Sequence, residues 1–488
     1  MTHSVSPSER TVVDADQPAP RRHGGFLWER ALPSLVLAAT ATGLLLATAL
    51  PLSNTDTYFH LRFGHELLSG WSLRDPGTVS TFATAHWVPT QWLPEIVMAR
   101  VEDWLGLAGI AWLSGLQIFA LTATLYLVSR RWGSRLVVSL LVLGALSASY
   151  LSLSMRPQVL SYLLIVVTLG AWLRTRDDGR LRWWLIPVTW VWAMVHGMWP
   201  IGIGLGVLAL IGMALDRDLS RRELTRGLAI PFLSAVAAAC TPVGPELYVQ
   251  LVRVQERSRF FSEWKRPDPL SFSWIVLAVL LVVAIFVLLR TRPLRRLDVL
   301  LVVLCILCSA WSWRTVPVAA LLLVPTVAVL SGRRAPHAAS TSRTERALVL
   351  GGTALALAVL AVAVPFTSDR PPAQPSWVDP ALGSLPSGTK VVGAWDWGGY
   401  FMWRYPQLDL LMHGYGDTFT IAELQRNSDI EGVAPGWQDE LRRTGCTVAV
   451  LRPSSGLAEG LVKENWIVVH HSSDIEELRA PAGWATGG

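Results

Sequence analysis

The residues best suited to chemistry lie in one polar stretch, residues 53–95. The sequence on either side of this stretch is almost purely apolar. Its carboxylates and imidazoles stand between aromatic residues and are Asp56, His60, His65, Glu66, Asp75, His86 and Glu95. Asp56 and His60 are four residues apart, so a helix would place both on one face. We therefore consider Asp56 as a general base or metal ligand that faces a membrane cavity, with His60 beside it.

A structural role for Asp56 competes with the catalytic one. Either Asn54 or Asp56 could cap the N-terminus of a helix, because a side-chain oxygen there accepts from free backbone N–H groups. Such a helix would be amphipathic and would lie at the membrane interface. Its apolar stripe would consist of Phe59, Phe63 and Leu67.

The sequence does not decide whether the protein depends on a metal ion. One carboxylate with His60, His86 or Glu95 forms a weak ligand set for Mg²⁺ or Mn²⁺. The H-E-x-x-H spacing of a zinc site does not occur. The cofactor is therefore unknown, with a divalent cation as the candidate.

The composition indicates a membrane protein. Hydrophobic residues make up 51% of the 488 residues, charged residues only 16%, and the mean hydropathy is +0.39. Soluble domains carry about 25% charged residues. The net charge of +6 comes from arginines in short clusters between apolar runs. That arrangement is typical of cytoplasmic anchors and argues against a nucleic-acid partner.

The apolar runs predict a polytopic helical domain over residues 30–366. It follows a disordered cytoplasmic tail, residues 1–29, and it has two long outer loops, 53–105 and 244–271. The arginine clusters follow every second run, which indicates a cytoplasmic N-terminus and an external C-terminus. The protein would thus be a multi-pass protein of the cytoplasmic membrane. The eleven predicted spans are 30–52, 106–128, 134–153, 158–174, 182–197, 200–215, 227–243, 272–290, 298–313, 315–332 and 347–366.

Residues 367–488 predict a small extracytoplasmic α/β domain. Strand-length apolar runs at 390–394, 408–412, 447–451 and 466–470 alternate with helical segments. Such alternation favours a mostly parallel sheet. The Gly398-Gly399 pair favours a structural turn over a phosphate site, because a single Gly-Gly is weak evidence for phosphate binding.

The predicted topology places further polar residues on the outer face. Charges at membrane depth are costly and tend to mark function. Interfacial snorkelling and aromatic belts are the alternative explanation for any one of them. The candidates for substrate binding are Arg156, Gln158, His196, Glu263, Lys265, Arg266 and Arg314, together with His86 and Glu95 of the first outer loop.

The order of several short motifs resembles bacterial GT-C-like membrane proteins, within the GT-C class of integral membrane glycosyltransferases. The resemblance lies in an Asp just after the first span, many spans and an outer soluble tail. Three features depart from the pattern: Met194 replaces an Asn, Gln91 replaces a Glu, and a tail Asp-Gly-Arg expected near residues 413–415 is absent. The matching motifs are 56–64 (DTYFHLRFG), 75–78 (DPGT), 91–95 (QWLPE), 156–158 (RPQ), 196–197 (HG), Pro242 with Gly244 and Tyr248, 263–264 (EW) and 397–400 (WGGY).

The resemblance implies transfer of a sugar from a polyprenyl-phosphate carrier to a glycan, lipid or protein acceptor at the outer face of the cytoplasmic membrane. Asp56 would be the base. The departing phosphate would be stabilised by Arg156, Arg314, Lys265 and Arg266, with His196 as a further donor. Two alternatives are a non-catalytic relative or transporter (flippase) of a lipid-linked glycan, and a glycan-binding membrane scaffold. The transporter alternative predicts internal repeats, and the sequence has no clear repeat.

Overall fold

The structure, a computed structural model, describes residues 25–44, 54–334, 343–367 and 374–484. Most of the predicted disordered tail, the end of the first predicted span and residues 368–373 of the predicted C-terminal domain lie outside the described residues. The helices are α1 (Gly25–Leu44), α2 (Asp56–Leu68), α3 (Trp92–Ser129), α4 (Arg135–Ala148), α5 (Gln158–Asp178), α6 (Leu185–Val195), α7 (Trp199–Asp216), α8 (Arg221–Ala239), α9 (Glu246–Arg257), α10 (Phe272–Arg290), α11 (Arg296–Trp311), α12 (Val316–Arg334), α13 (Arg343–Thr367), α14 (Val378–Gly383), α15 (Gly398–Arg404), α16 (Ile421–Glu431), α17 (Trp437–Thr444) and α18 (Gly456–Lys463).

Each of the eleven predicted spans coincides with a helix. Five helical segments among the described residues are long and apolar enough to cross a membrane. They are α3, α5, α7, α10 and the segment from Trp313 to Arg333, which includes most of α12. The count of eleven spans remains a prediction. Helix α3 changes direction at Gly106, whose φ of 60° suits glycine, so its first part can cover the outer loop before the predicted span begins.

Helix α2 confirms the predicted helix after Asn54, but its surroundings differ from the prediction. Eight of its thirteen residues are buried. Gly64 lies against the Glu95 carbonyl of α3, where a Cβ atom would collide. On another side, the Tyr58 ring lies 5.0 Å from the rings of both Tyr400 and Trp403 in the tail. The helix is thus enclosed between α3 and the tail, and does not simply lie at the interface.

The tail contains the predicted α/β domain with a mixed sheet. Its strands are β1 (Lys390–Gly393), β2 (Asp409–Leu410), β3 (Val448–Leu451), β4 (Ile467–His471) and β5 (Glu476–Arg479), in the order β2-β1-β3-β5-β4. β2, β1 and β3 are parallel, whereas β5 pairs antiparallel with both β3 and β4. The sequence Glu-Glu-Leu-Arg of β5 lacks an apolar pattern, so the sequence did not predict this strand. The described residues therefore form a helical membrane domain with a small C-terminal α/β domain.

A close backbone approach joins the two domains. Gly399 lies against the Thr55 carbonyl, whereas Gly398 lies against the backbone of His413 within the tail. A side chain at either position would force these backbones apart. The Gly-Gly pair at the start of α15 thus has a structural role, because Gly399 lets the tail approach the N-terminus of α2 and Gly398 lets α15 approach the loop after β2. The loop after β2, residues 411–419, consequently reaches the membrane domain.

Candidate active site

A cavity of about 600 Å³ lies where the predicted outer turns meet the tail. Its polar wall includes residues before α5, before α7 and before α12. Its apolar wall continues along α7 as far as Leu208 and along α12 as far as Leu322. Leu322 follows Arg314 by eight residues, which corresponds to ~12 Å of helix. The cavity therefore combines a polar region with an apolar extension along the membrane helices.

Three neighbouring contacts position Asp56 on the polar wall. Asn54 Nδ2 donates to Ser154 Oγ over 2.9 Å, and Thr57 Oγ1 donates to the Met155 carbonyl over 2.9 Å. Between them, Arg156 Nη1 donates to Asp56 Oδ2 over 2.8 Å. The helix cap is Thr55 and not Asp56. The Asp56 carboxylate is therefore committed to Arg156, which argues against a capping role.

The ion pair between Asp56 and Arg156 is largely removed from water. The Asp56 side chain is 33% exposed and that of Arg156 is 15% exposed. Burial raises the pKa of the Asp56 carboxyl, while the charge of Arg156 opposes this rise. A carboxylate with a raised pKa is a better proton acceptor than an ordinary one. This carboxylate can therefore act as a base when another anion takes over part of the hydrogen bonding that Arg156 gives to Asp56.

His60 lines the same cavity, one turn after Asp56. Its Nδ1 atom lies 2.9 Å from Glu95 Oε1 of α3. Burial, with the charge of Arg156 as a smaller cause, holds the pKa of His60 well below its usual range. A neutral imidazole with one nitrogen held by a carboxyl has a fixed orientation. Glu95 itself is buried behind His60 and is not part of the cavity wall.

Arg314 forms a second cluster on the wall. Its guanidinium binds Glu263 and stacks 5.1 Å from the centre of the Trp264 ring. Its Nη2 atom lies 3.4 Å from His196 Nε2, while the Met198 N–H donates to His196 Nδ1 over 3.3 Å. A neutral imidazole can accept only one of these two contacts, because its other ring nitrogen carries a proton. The cluster joins three predicted residues from three separate turns.

The tail contributes a third carboxylate that the sequence analysis did not identify. Asp417 follows β2 and lies on the cavity wall, with its Oδ1 atom 3.8 Å from Arg257 Nη1 of α9. Burial raises the pKa of Asp417, and the charges of Arg257 and Arg314 oppose this rise. Tyr415 anchors the loop, since its ring centre is 4.8 Å from that of Phe63 and 5.0 Å from that of Phe59. The sequence signal that could have identified Asp417 is the motif Gly-Tyr-Gly-Asp, residues 414–417, which follows a predicted strand.

The remaining predicted residues divide between the wall and the surface. Gln158 lines the cavity and donates through Nε2 to the Ser152 carbonyl over 3.2 Å. Lys265 and Arg266 are exposed and lie outside the wall. His86 is half-exposed and also lies outside the wall, with its Nε2 atom 3.5 Å from Glu246. The structure thus brings together Asp56, His60, Arg156, Gln158, His196, Glu263 and Arg314.

The described residues contain no group of three or more His, Cys, Asp or Glu side chains that could hold a metal ion. Each carboxylate on the cavity wall instead faces an arginine: Asp56 faces Arg156, Glu263 faces Arg314, and Asp417 faces Arg257. In this part of the chain, positive charge at the site thus comes from guanidinium groups. Such groups can stabilise a phosphate oxygen with directed hydrogen bonds.

Two solved structures are similar to this chain in fold. The Archaeoglobus fulgidus oligosaccharyltransferase, tethered to an acceptor peptide that contains the NVT sequon, aligns with a TM-score of 0.53 and 10% identity, over 87% of this chain and 69% of that chain. ArnT from Cupriavidus metallidurans, bound to undecaprenyl phosphate, aligns with a TM-score of 0.51 and 14% identity, over 92% and 98% of the two chains. Both are GT-C glycosyltransferases. The chain has a GT-C-like fold.

The comparison thus confirms the GT-C-like fold that the motif resemblance implied. No protein-family model and no curated protein sequence matches the chain. At these levels of identity the similarity concerns the fold alone.

Proposed function

We propose that the protein is a membrane glycosyltransferase that moves a sugar from a polyprenyl-phosphate-linked donor to an acceptor. The observation that carries this proposal is the ion pair between Asp56 and Arg156, on the wall of a cavity that continues in apolar side chains along α7 and α12. A lipid-linked sugar phosphate needs both parts. Its chain requires an apolar surface, and its phosphate requires cations.

In this mechanism, the acceptor hydroxyl attacks the anomeric carbon of the donor sugar. Asp56 takes the hydroxyl proton while the bond between the anomeric carbon and the phosphate oxygen breaks. Arg156 and Arg314 stabilise the polyprenyl phosphate that leaves. His60, whose orientation is fixed by Glu95, shapes the wall beside Asp56. Gln158, His196 and Glu263 complete the polar surface around the phosphate.

Both structural neighbours support a lipid carrier and an acceptor in general terms. The ArnT structure contains undecaprenyl phosphate, and the oligosaccharyltransferase structure contains an acceptor peptide. For this chain we propose a polyprenyl-phosphate donor and a glycan, lipid or protein acceptor. We further propose that the protein lies in the cytoplasmic membrane with its N-terminus inside and its C-terminal domain outside. The arginine clusters support this orientation.

The test is transfer by purified protein in liposomes. It uses radiolabelled undecaprenyl-phosphate monosaccharides as donors and cell-envelope material as the acceptor. Asp56→Asn should reduce transfer by about 100-fold or more, because general base catalysis contributes roughly that factor. The matched control is Asp75→Asn, since Asp75 lies in the same outer loop with its side chain 89% exposed.

Equal transfer by Asp56→Asn and Asp75→Asn would remove Asp56 as the base. If the wild-type protein transfers no sugar but moves the labelled lipid between leaflets, the transporter alternative replaces the proposal. If it binds the envelope glycan without either activity, the scaffold alternative replaces it.

A further inference from the structure

Helix α9 carries a buried amide that nothing in the described part of the protein binds. Gln250 lines the cavity and is 1% exposed. Neither its Oε1 nor its Nε2 atom has a hydrogen-bond partner among the described residues. Buried polar side-chain atoms are almost always hydrogen-bonded, because an unpaired one loses its contacts with water without replacement. A cavity-lining amide with both ends unpaired therefore points to a ligand.

A second unpaired donor lies two turns further along the same helix. Arg257 is buried, and its Nη1 atom has no hydrogen bond within the described residues. The nearest carboxylate oxygen, Oδ1 of Asp417, is 3.8 Å away, beyond hydrogen-bonding distance. One ligand hydroxyl between these two side chains could accept from Arg257 and donate to Asp417. The tail loop and α9 thus offer complementary groups across one part of the cavity.

The side-chain types on this wall select the class of ligand. A phosphate oxygen accepts hydrogen bonds but does not donate them, so it could pair with Nε2 of Gln250 but not with Oε1. A sugar hydroxyl both donates and accepts, as an amide does through its two ends. The aromatic rings of Phe261 and Tyr415 also line the cavity and could contact the apolar face of a sugar ring. An uncharged sugar fits this set better than a phosphate does.

We propose that Gln250, Arg257 and Asp417 form a sugar-binding subsite, separate from the ion pair between Asp56 and Arg156. This inference rests on the proposed glycosyl transfer and adds which residues recognise the sugar. The bound unit is either the sugar of the lipid-linked donor or a sugar of a glycan acceptor. The two sources share the same hydroxyl chemistry, so the experiment must distinguish them.

The first measurement concerns the ligand-free protein. Gln250→Leu replaces an unpaired buried amide with an apolar side chain of similar size, so the melting temperature should stay equal or rise. Gln117→Leu is the matched control, because Gln117 is also a buried glutamine but does not line the cavity. A melting temperature that falls by several degrees for Gln250→Leu alone would mean that the amide has a structural partner, and would overturn the proposal.

The second measurement compares binding of undecaprenyl phosphate with binding of its mannose-, glucose- and arabinose-linked forms. For the wild type and Gln117→Leu, at least one sugar-linked form should bind about tenfold more tightly than the bare lipid phosphate, as expected for one to two well-formed hydrogen bonds. For Gln250→Leu this gain should fall to within about twofold, while binding of the bare lipid phosphate stays the same. That result identifies the donor sugar as the ligand.

Free mannotriose, maltotriose and arabinotriose test the acceptor source. A melting-temperature rise with one of them in the wild type, absent in Gln250→Leu, identifies an acceptor glycan. If neither probe type depends on Gln250, the subsite is overturned. If the wild type does not bind even the bare lipid phosphate, the failure is that of the proposed function. These outcomes therefore distinguish failure of the sugar-binding subsite from failure of the proposed glycosyl transfer.

Discussion

Breaking the ion pair between Asp56 and Arg156 from one side at a time tests the central feature of the cavity. Asp56→Asn leaves the guanidinium without its counter-charge, and Arg156→Gln leaves the carboxylate without its donor. Both side chains are mostly buried, at 33% and 15% exposed. Neither remaining charge is therefore fully compensated by water. The double variant contains two neutral amides, so it leaves no uncompensated charge at either position.

The structure sets the size of the effect between two limits. Removing one partner of a fully buried ion pair costs about 3–5 kcal/mol. A hydrogen bond to a charged group contributes about 1.5–3 kcal/mol. Since one third of the Asp56 side chain reaches solvent, the lower range applies. We expect each single variant to lose about 2 kcal/mol of unfolding free energy. The double variant should lose clearly less than the sum, with a coupling energy of about 2 kcal/mol.

The assay is a four-member cycle in mixed micelles, with the free energy of unfolding from denaturant titration and sugar transfer from the same preparations. Stability should recover in the double variant while transfer does not, because the amide that replaces the Asp56 carboxylate cannot accept the proton. Additive losses of stability would show that the two side chains are not coupled. Recovered transfer in the double variant would refute Asp56 as the base, since no carboxylate remains at that position.

Two further predictions concern the tail domain. Burial lowers the pKa of His413 to about 3, whereas the same side chain in the unfolded protein has a pKa near 6.5. The unfolded state therefore binds this proton first as the pH falls, and the folded protein becomes less stable. His413→Leu should remove ~2 kcal/mol of the difference in unfolding free energy between pH 7.5 and pH 5. Parallel pH profiles of unfolding for the two proteins would contradict this. A reporter enzyme that is active only outside the cytoplasm, fused after Gly488, should be active; activity of a cytoplasm-specific reporter at the same position would reverse the proposed topology.

Local patterns in the sequence determined the elements. The eleven apolar runs predicted helices because burial in lipid or protein requires long apolar stretches, and each run coincides with a helix. The helix after Asn54 followed from the spacing of Phe59 and Phe63, and four tail strands followed from apolar runs between turn residues. The candidate site residues on the outer turns also followed from the sequence, because the arginine clusters indicated which helix ends lie on the same side of the membrane.

Tertiary structure decided which of these residues work together. Asp56 and Arg156 are 100 positions apart, and their contact depends on how α2 packs beside the start of α5. Asp417 joins the cavity because the tail packs against α2, where Gly399 lies against the Thr55 carbonyl and the Tyr415 ring lies against Phe59 and Phe63. Strand β5 is determined by its pairing with β3 and β4, and not by its own apolarity. Long-range contacts of this kind leave no periodic signal in one sequence, because they depend on the packing of whole elements.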